Sequence, residues 1–217
     1  FIYKRCIQSK FQMVIINRFS ILKLIIATRN KHKEKELKAI LKNLPFEVVT
    51  LDQFPEIGEI EETGSTLYEN AKLKADTVHR ITNLPCLGDD TGLEVDALNG
   101  APGVYSSRYA GEDVSYEDNV TKLLKEMEST PPEKRSARFR TIIFYTDGER
   151  ELYSEGEIKG YITEERRGNN GFGYDPVFYI SEVKKTMAEL KSDEKNKLSH
   201  RGQAMRKLRK LLLEINH

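Results

Sequence analysis

Apolar residues come in short blocks along the chain, and the period inside each block changes from one to the next. Residues 23–28 (KLIIAT) form an apolar run of strand length, closed by Arg29-Asn30. Residues 31–42 switch to helical spacing, with Leu37, Ile40 and Leu41 among charged neighbours. This predicts strand, loop, helix, with the loop at a helix start where free backbone N–H groups favour an anion. Residues 46–51 predict a second strand, followed by an acidic loop with Glu56, Glu59, Glu61 and Glu62. Thr66-Leu67-Tyr68-Glu69 has the capping-box pattern and opens a helix reaching about Arg80. Residues 85–90 read as a strand ending in Asp89-Asp90, and residues 93–98 alternate as a returning strand. A Gly/Pro/Ser loop spans 101–111, and a helix at 116–127 is stopped by Pro131-Pro132. Strands at 138–146 and 149–155 are joined by Asp147-Gly148, a hairpin signal. A Gly/Asn-rich loop at 167–173 leads to a strand at 176–180. The last helix runs from about 200 to 214, with Met205, Leu208, Leu212 and Ile215 near one face. Helices alternating with strands, plus one hairpin, predict an α/β fold with a mixed central sheet flanked by helices.

Composition narrows this picture. A chain of 217 residues can bury a sizeable core in one domain. Its formal charge of +1 lacks the basic excess that unspecific nucleic-acid binding requires, so no nucleic-acid partner is expected. Cys6 and Cys86 form neither a disulfide framework nor a metal-type spacing, which points to a reducing, cytoplasmic setting. No apolar run reaches the ~18 residues of a membrane helix, so no membrane partner is expected. The best stretch, 15–27, is broken by Asn17, Arg18 and Lys23. Residues 1–22 carry only basic charges and read as a tag or extension, with a targeting segment as the alternative. Residues 23–217 read as a single domain.

Four groups of residues can carry chemistry. Adjacent side chains in a strand point to opposite faces, so Asp89 and Asp90 cannot serve one pocket alike. Asp90 is expected to face the cleft, able to bind a divalent ion or take a proton from water, with Asp89 in support. A turn-capping Asp pair is the plainer alternative. Glu62, in the acidic loop, can join Asp90 on a hard cation, or be part of a solvated charge run. Lys33, Lys74, Lys195, His200 and Arg201 lie near loop ends, where they suit a triphosphate, though each alone reads as a surface residue. Gly171-Phe172-Gly173-Tyr174-Asp175-Pro176 lets a flat ligand approach: Phe172 or Tyr174 can stack on a base and Asp175 can accept its hydrogen bonds. The alternative there is a tight turn with a core aromatic.

Five stretches together resemble the inosine triphosphate pyrophosphatase family: ATRNKHKEKEL (27–37), EETGSTLYENAKLKA (61–75), LGDDTGLEVDALNGAPGVYSSRYAG (87–111), GFGYDPVF (171–178) and KNKLSHRGQAM (195–205). They occur in the family's order and span nearly everything after residue 22. The resemblance implies two lobes around a nucleotide-binding cleft, a Mg²⁺ cofactor, a homodimer, and hydrolysis of non-standard purine nucleoside triphosphates to monophosphate and pyrophosphate. It also implies residue roles. Thr28, Asn30 and Lys33 match the phosphate-binding segment, with Arg29, Lys31 and His32 between them. Glu62 and Asp90 match metal-associated carboxylates, with Asp90 the proton acceptor, and Lys74 matches a catalytic lysine. Thr91 matches a substrate-contacting hydroxyl that is often Ser. Phe172, Gly173, Tyr174, Asp175, Lys195, His200 and Arg201 match the nucleobase pocket.

Three rival readings remain at this level. Asp90-Thr91-Gly92 invites an aspartic protease, but that chemistry needs two facing copies and only one is present. The basic residues Arg206, Lys207, Arg209 and Lys210 invite a non-enzymatic nucleotide- or RNA-binding protein, and a solvated helix face accounts for them equally. A related pyrophosphatase acting on pyrimidine or modified-base nucleotides is the third.

Overall fold

The computed structural model describes residues 22–42 and 46–214. The extension reading of the first residues and the position of Ile215 fall outside them, although β1 already begins at Leu22. In chain order the elements are β1 (Leu22–Ile26), α1 (Lys31–Leu41), β2 (Phe46–Thr50), α2 (Leu67–Thr82), β3 (Cys86–Val95), β4 (Pro102–Gly103) and α3 (Tyr116–Glu126). There follow β5 (Ser136–Thr146), β6 (Glu151–Ile162), β7 (Phe178–Ile180), β8 (Lys185–Thr186), α4 (Ser192–Leu198) and α5 (His200–Glu214). The strands form one mixed sheet in the order β2-β1-β3-β5-β6-β7-β8, with β4 paired to β3. β1 runs parallel to β2 and β3, and the remaining pairs are antiparallel.

Alternation in β1 and β3 divides the first lobe into two packed faces. Leu24, Ile26 and Leu87 face α1 and α5, meeting Leu37, Leu41, Met205, Leu208 and Leu212. Ile25 and Cys86 face α2, meeting Ala71, Ala75 and Val78. The far ends of β3 and β5 enter a second lobe, where Leu93, Val95 and Phe139 pack with Val120, Leu123, Met127, Val177 and Phe178. Two long strands thus run through both lobes and fix one against the other.

The sheet departs from the sequence-based expectation in three places. β3 does not end at Asp90 and return over residues 93–98. It is one straight strand whose residues pair with β5 from Cys86↔Thr146 to Val95↔Ala137. Thr91-Gly92 makes no turn: a Cβ on Gly92 would lie 2.7 Å from the Gly103 carbonyl oxygen, so the glycine is there to let β4 approach. β6 continues to Ile162, past residue 155, because β7 covers its far end through Tyr161↔Tyr179 and Ile162↔Phe178. Asp175–Val177 is a 3₁₀ turn, so only Phe178–Ile180 of the expected strand at 176–180 is extended. The capping box at Thr66 and Glu69 is present as predicted.

Candidate active site

A cleft of about 1070 Å³ opens along the start of α1, the loop before α2, the middle of β3 and the 171–175 loop. Thr28, Asn30, Lys33, Glu62, Lys74 and Asp90 line it, as do Thr91, Phe172, Gly173, Tyr174, Asp175, Lys195, His200 and Arg201. Asp89 does not. It lies on the other face of the strand from Asp90 and is enclosed by Arg201 and Lys33.

The α2 side holds one cluster. Gly88 lets α2 lie against β3, since a Cβ there would meet the Ala71 carbonyl oxygen at 1.9 Å. That close approach brings Lys74 and Asn70, four residues and about one turn apart on the helix, onto Asp90. Lys74 Nζ donates to Asp90 Oδ1 at 3.0 Å and to Glu62 Oε1 at 2.7 Å, and Asn70 Nδ2 donates to Asp90 Oδ2 at 3.3 Å. Arg108 donates to the Glu62 main-chain carbonyl oxygen and lies 3.6 Å from its carboxylate. Burial works against the Lys74 charge, but Asp90 and Glu62 outweigh it and hold the ammonium above the ordinary lysine value. Burial pushes the Asp90 carboxyl above the ordinary aspartate range, with Lys74 and Lys33 opposing and the Glu62 charge adding. A carboxylate so placed beside a cleft is suited to accepting a proton.

No three or more potential ligands stand together among the described residues, so there is no all-protein cage. Glu62 and Asp90 offer hard oxygen donors drawn together by one ammonium. That set fits Mg²⁺, which binds one or two carboxylates and completes its shell with phosphate oxygens and water.

The α5 side holds a second, buried network. Gly156 lets α5 press onto β6, because a Cβ would come within 1.9 Å of the His200 carbonyl oxygen. Arg201, 2% exposed, donates to Asp89 Oδ2 at 3.0 Å, to Glu36 Oε2 at 2.5 Å and to Thr91 Oγ1 at 3.0 Å. Lys33 reaches the other Asp89 oxygen at 2.5 Å. Glu36 also pairs with Lys195 at 2.8 Å, and Lys195 with Asp175 at 2.5 Å. Asp175 in turn accepts from the Phe172 backbone N–H at 2.8 Å. Charges therefore alternate without interruption from Lys33, at the head of α1, to the backbone beneath Phe172. Burial, reinforced by the Arg201 and Lys195 charges, holds His200 neutral, well below the ordinary histidine value. Its ring stacks on Phe139 at 4.7 Å.

Not every residue of the 28–33 segment enters the cleft. Lys31 is exposed and pairs with Asp52 and Glu34. Arg29 touches the cleft while donating to the Ile57 carbonyl oxygen. His32 is exposed and stacks on Phe172. Tyr174 is packed in the second lobe, its hydroxyl donating to the Ser106 carbonyl oxygen at 3.0 Å.

Residues 24–211 match the model of the Ham1 family. The chain belongs to the Ham1 family. A dITP/XTP pyrophosphatase of Listeria monocytogenes is 52% identical over 196 residues, covering 89% of this chain and 96% of that one. A dITP/XTP pyrophosphatase of Geobacter sulfurreducens is 52% identical over 184 residues, covering 84% and 92%. Among solved structures, a HAM1 protein from Coxiella burnetii superposes with a TM-score of 0.82 at 42% identity, covering 89% of this chain and 99% of that one. The Ham1 protein of Staphylococcus aureus gives 0.79 at 38% identity, covering 90% and 100%. The family read from the five sequence stretches and the α/β fold with a mixed sheet are both borne out.

In this Ham1 chain three contributors escaped sequence reasoning. Glu36 joins Arg201 to Lys195, and its only local signal is that it follows Lys33 by three positions, one helical turn. Arg108 stands against Glu62 from the 101–111 loop, to whose arginine the sequence pattern assigns no role. Tyr116, on the cleft wall, accepts a hydrogen bond from Asn30 Nδ2 at 2.8 Å, and nothing in the spacing connects positions 30 and 116.

Proposed function

We propose that this Ham1 protein hydrolyses non-standard purine nucleoside triphosphates such as ITP, dITP and XTP to the monophosphate and pyrophosphate, clearing them from the nucleotide pool. The observation that carries this reading is a single cleft joining three parts: Lys33 at a helix start, the Asp90–Lys74–Glu62 cluster, and the Phe172 loop. The first suits a polyphosphate, the second proton transfer beside a cation, the third a flat base.

Each residue's part follows from its surroundings. The triphosphate is received at the start of α1 by Thr28, Asn30 and Lys33, where the helix dipole favours an anion. Asp90 accepts the proton of the water that attacks the α-phosphorus. Its burial keeps that carboxylate more basic than an exposed one. Lys74 fixes Asp90 and Glu62 and offsets their charge. Lys33 stabilises the charge that develops on the departing pyrophosphate. Glu62 and Asp90 would hold Mg²⁺, which would supply neutralisation of the phosphate oxygens. At the base end, the cationic groups of Lys195 and Arg201 favour a carbonyl at purine C6 over the amino group of adenine. Discrimination against guanine requires that no acceptor in the wall be free for its 2-amino group. A homodimer belongs to the same reading on the strength of the family resemblance, and a cytoplasmic setting on that of the cysteine usage. No helix among the described residues is long and apolar enough to cross a membrane.

The test is pyrophosphate release from ITP, dITP, XTP, ATP and GTP, with Mg²⁺ and with EDTA. The first three are expected to turn over rapidly, the last two slowly, and chelation to stop all five. Equal rates across the panel would refute the selectivity, and turnover surviving chelation would refute the metal requirement. Sedimentation at the mass of two chains checks the dimer.

A further inference from the structure

Phe172, the ring offered to the base, is covered in this structure. The imidazole of His32 lies 4.9 Å from it, centroid to centroid, at 18° between planes, a stacked arrangement. Tyr116 closes against both rings, 5.7 Å from Phe172 and 6.4 Å from His32. A base cannot slip between Phe172 and His32 as they stand. Two stacked layers need roughly 7 Å, since each carbon–carbon contact takes about 3.5–4.0 Å.

The backbone that carries His32 has little freedom to back away. Asn30 Oδ1 caps α1 by accepting from His32 N at 3.0 Å and from Lys33 N at 3.2 Å. Asn30 Nδ2 is bonded to Tyr116, and Lys33 is paired with buried Asp89 at 2.5 Å. The His32 side chain itself is exposed and makes no hydrogen bond among those of the described residues. A clamp that opened to sandwich the base would have to break the cap or the ion pair. Turning the imidazole out to solvent breaks neither.

We propose that His32 is a placeholder for the nucleobase: it stacks on Phe172 from beside the cleft and is displaced when a purine takes that face. The inference rests on the base-site reading above and adds to it a residue that sets affinity. Every base-bearing ligand must displace the imidazole, and a base-free polyphosphate need not. His32 therefore weakens binding of nucleotides as a class relative to that of inorganic phosphates, by about two- to tenfold, the worth of one aromatic pair.

The experiment is calorimetric binding of inosine monophosphate and of inorganic pyrophosphate to the full chain, to His32→Ala and His32→Phe, and to His32→Ala combined with Phe172→Ala. His32→Ala is expected to bind the monophosphate about two- to tenfold tighter and His32→Phe to bind it more weakly, with pyrophosphate affinity the same in both. Weaker or unaltered monophosphate binding in His32→Ala would overturn the placeholder, the former by making the imidazole a base contact. A parallel change in pyrophosphate affinity would also overturn it, by placing the effect at the phosphates. Phe172→Ala added to His32→Ala separates the two levels: with no imidazole to displace, it is expected to weaken monophosphate binding alone. If it does not, the base-site reading itself fails and the placeholder with it.

Discussion

Asp89 and Asp90 are neighbours in sequence, yet they belong to different environments. Asp89, fully enclosed, is pushed up by burial, but Arg201, Lys33 and Lys74 outweigh this and hold its carboxyl well below the ordinary range. Asp90 is shifted the other way. The first is therefore a fixed charge and the second a group able to trade a proton. Asp90→Asn keeps the shape of the side chain and removes its basicity. Turnover is expected to fall by about 10²–10⁴-fold while triphosphate binding survives. Steady-state pyrophosphate release and calorimetry on the same variant measure the two separately, and unchanged turnover would remove Asp90 from the proton-acceptor role. The division between the two aspartates was legible from the period of two in a strand. Their partners were not, because Lys33, Lys74 and Arg201 meet β3 only through packing of three helices.

At the scale of elements, two glycines decide how closely the helices approach the sheet. Gly156 is the more exacting for α5, since a methyl group would collide with the backbone of the residue next to Arg201. Gly156→Ala is expected to cost about 1–3 kcal/mol by overpacking and to lower activity by moving His200 and Arg201 together. Urea unfolding gives the first quantity and the nucleotide panel the second, and a variant with an unaltered urea midpoint would contradict the contact. Long amphipathic segments were the legible part of the fold: α2 with its capping box, α3, α5 and the β5–β6 hairpin. The less legible parts are set by neighbours. Thr91-Gly92 looks like a turn locally, but β3 stays straight because β5 pairs along its whole length. α4, seven residues with only Lys195 buried and Leu198 half-buried against the core, gives no periodic signal.

For the whole molecule, Glu36 is the point where three helices meet, binding Lys195 of α4 and Arg201 of α5 from its place on α1. Burial pushes its carboxyl up, and the Arg201 and Lys195 charges more than reverse that, leaving it below the ordinary glutamate value of 4.5. A carboxyl depressed in the folded state favours folding in full above the unfolded value, and loses that contribution as pH falls through the folded value. Stability is therefore expected to decline on acidification below about pH 4.5. Glu36→Gln is expected to be about 1.5–3 kcal/mol less stable near pH 7 and to decline less steeply in acid. Urea midpoints across pH 3 to 7, a range of about four units, check both. Equal midpoints at neutral pH would show that Glu36 ties nothing together. The straightness of β3 carries a genetic consequence as well. An in-frame loss of one codon between Cys86 and Asp89 would leave the strand paired on both sides but invert every side chain beyond the gap. The fixed charge and the proton acceptor would trade compartments, so a gene carrying that lesion would encode a sheet with the right hydrogen bonds and the wrong chemistry.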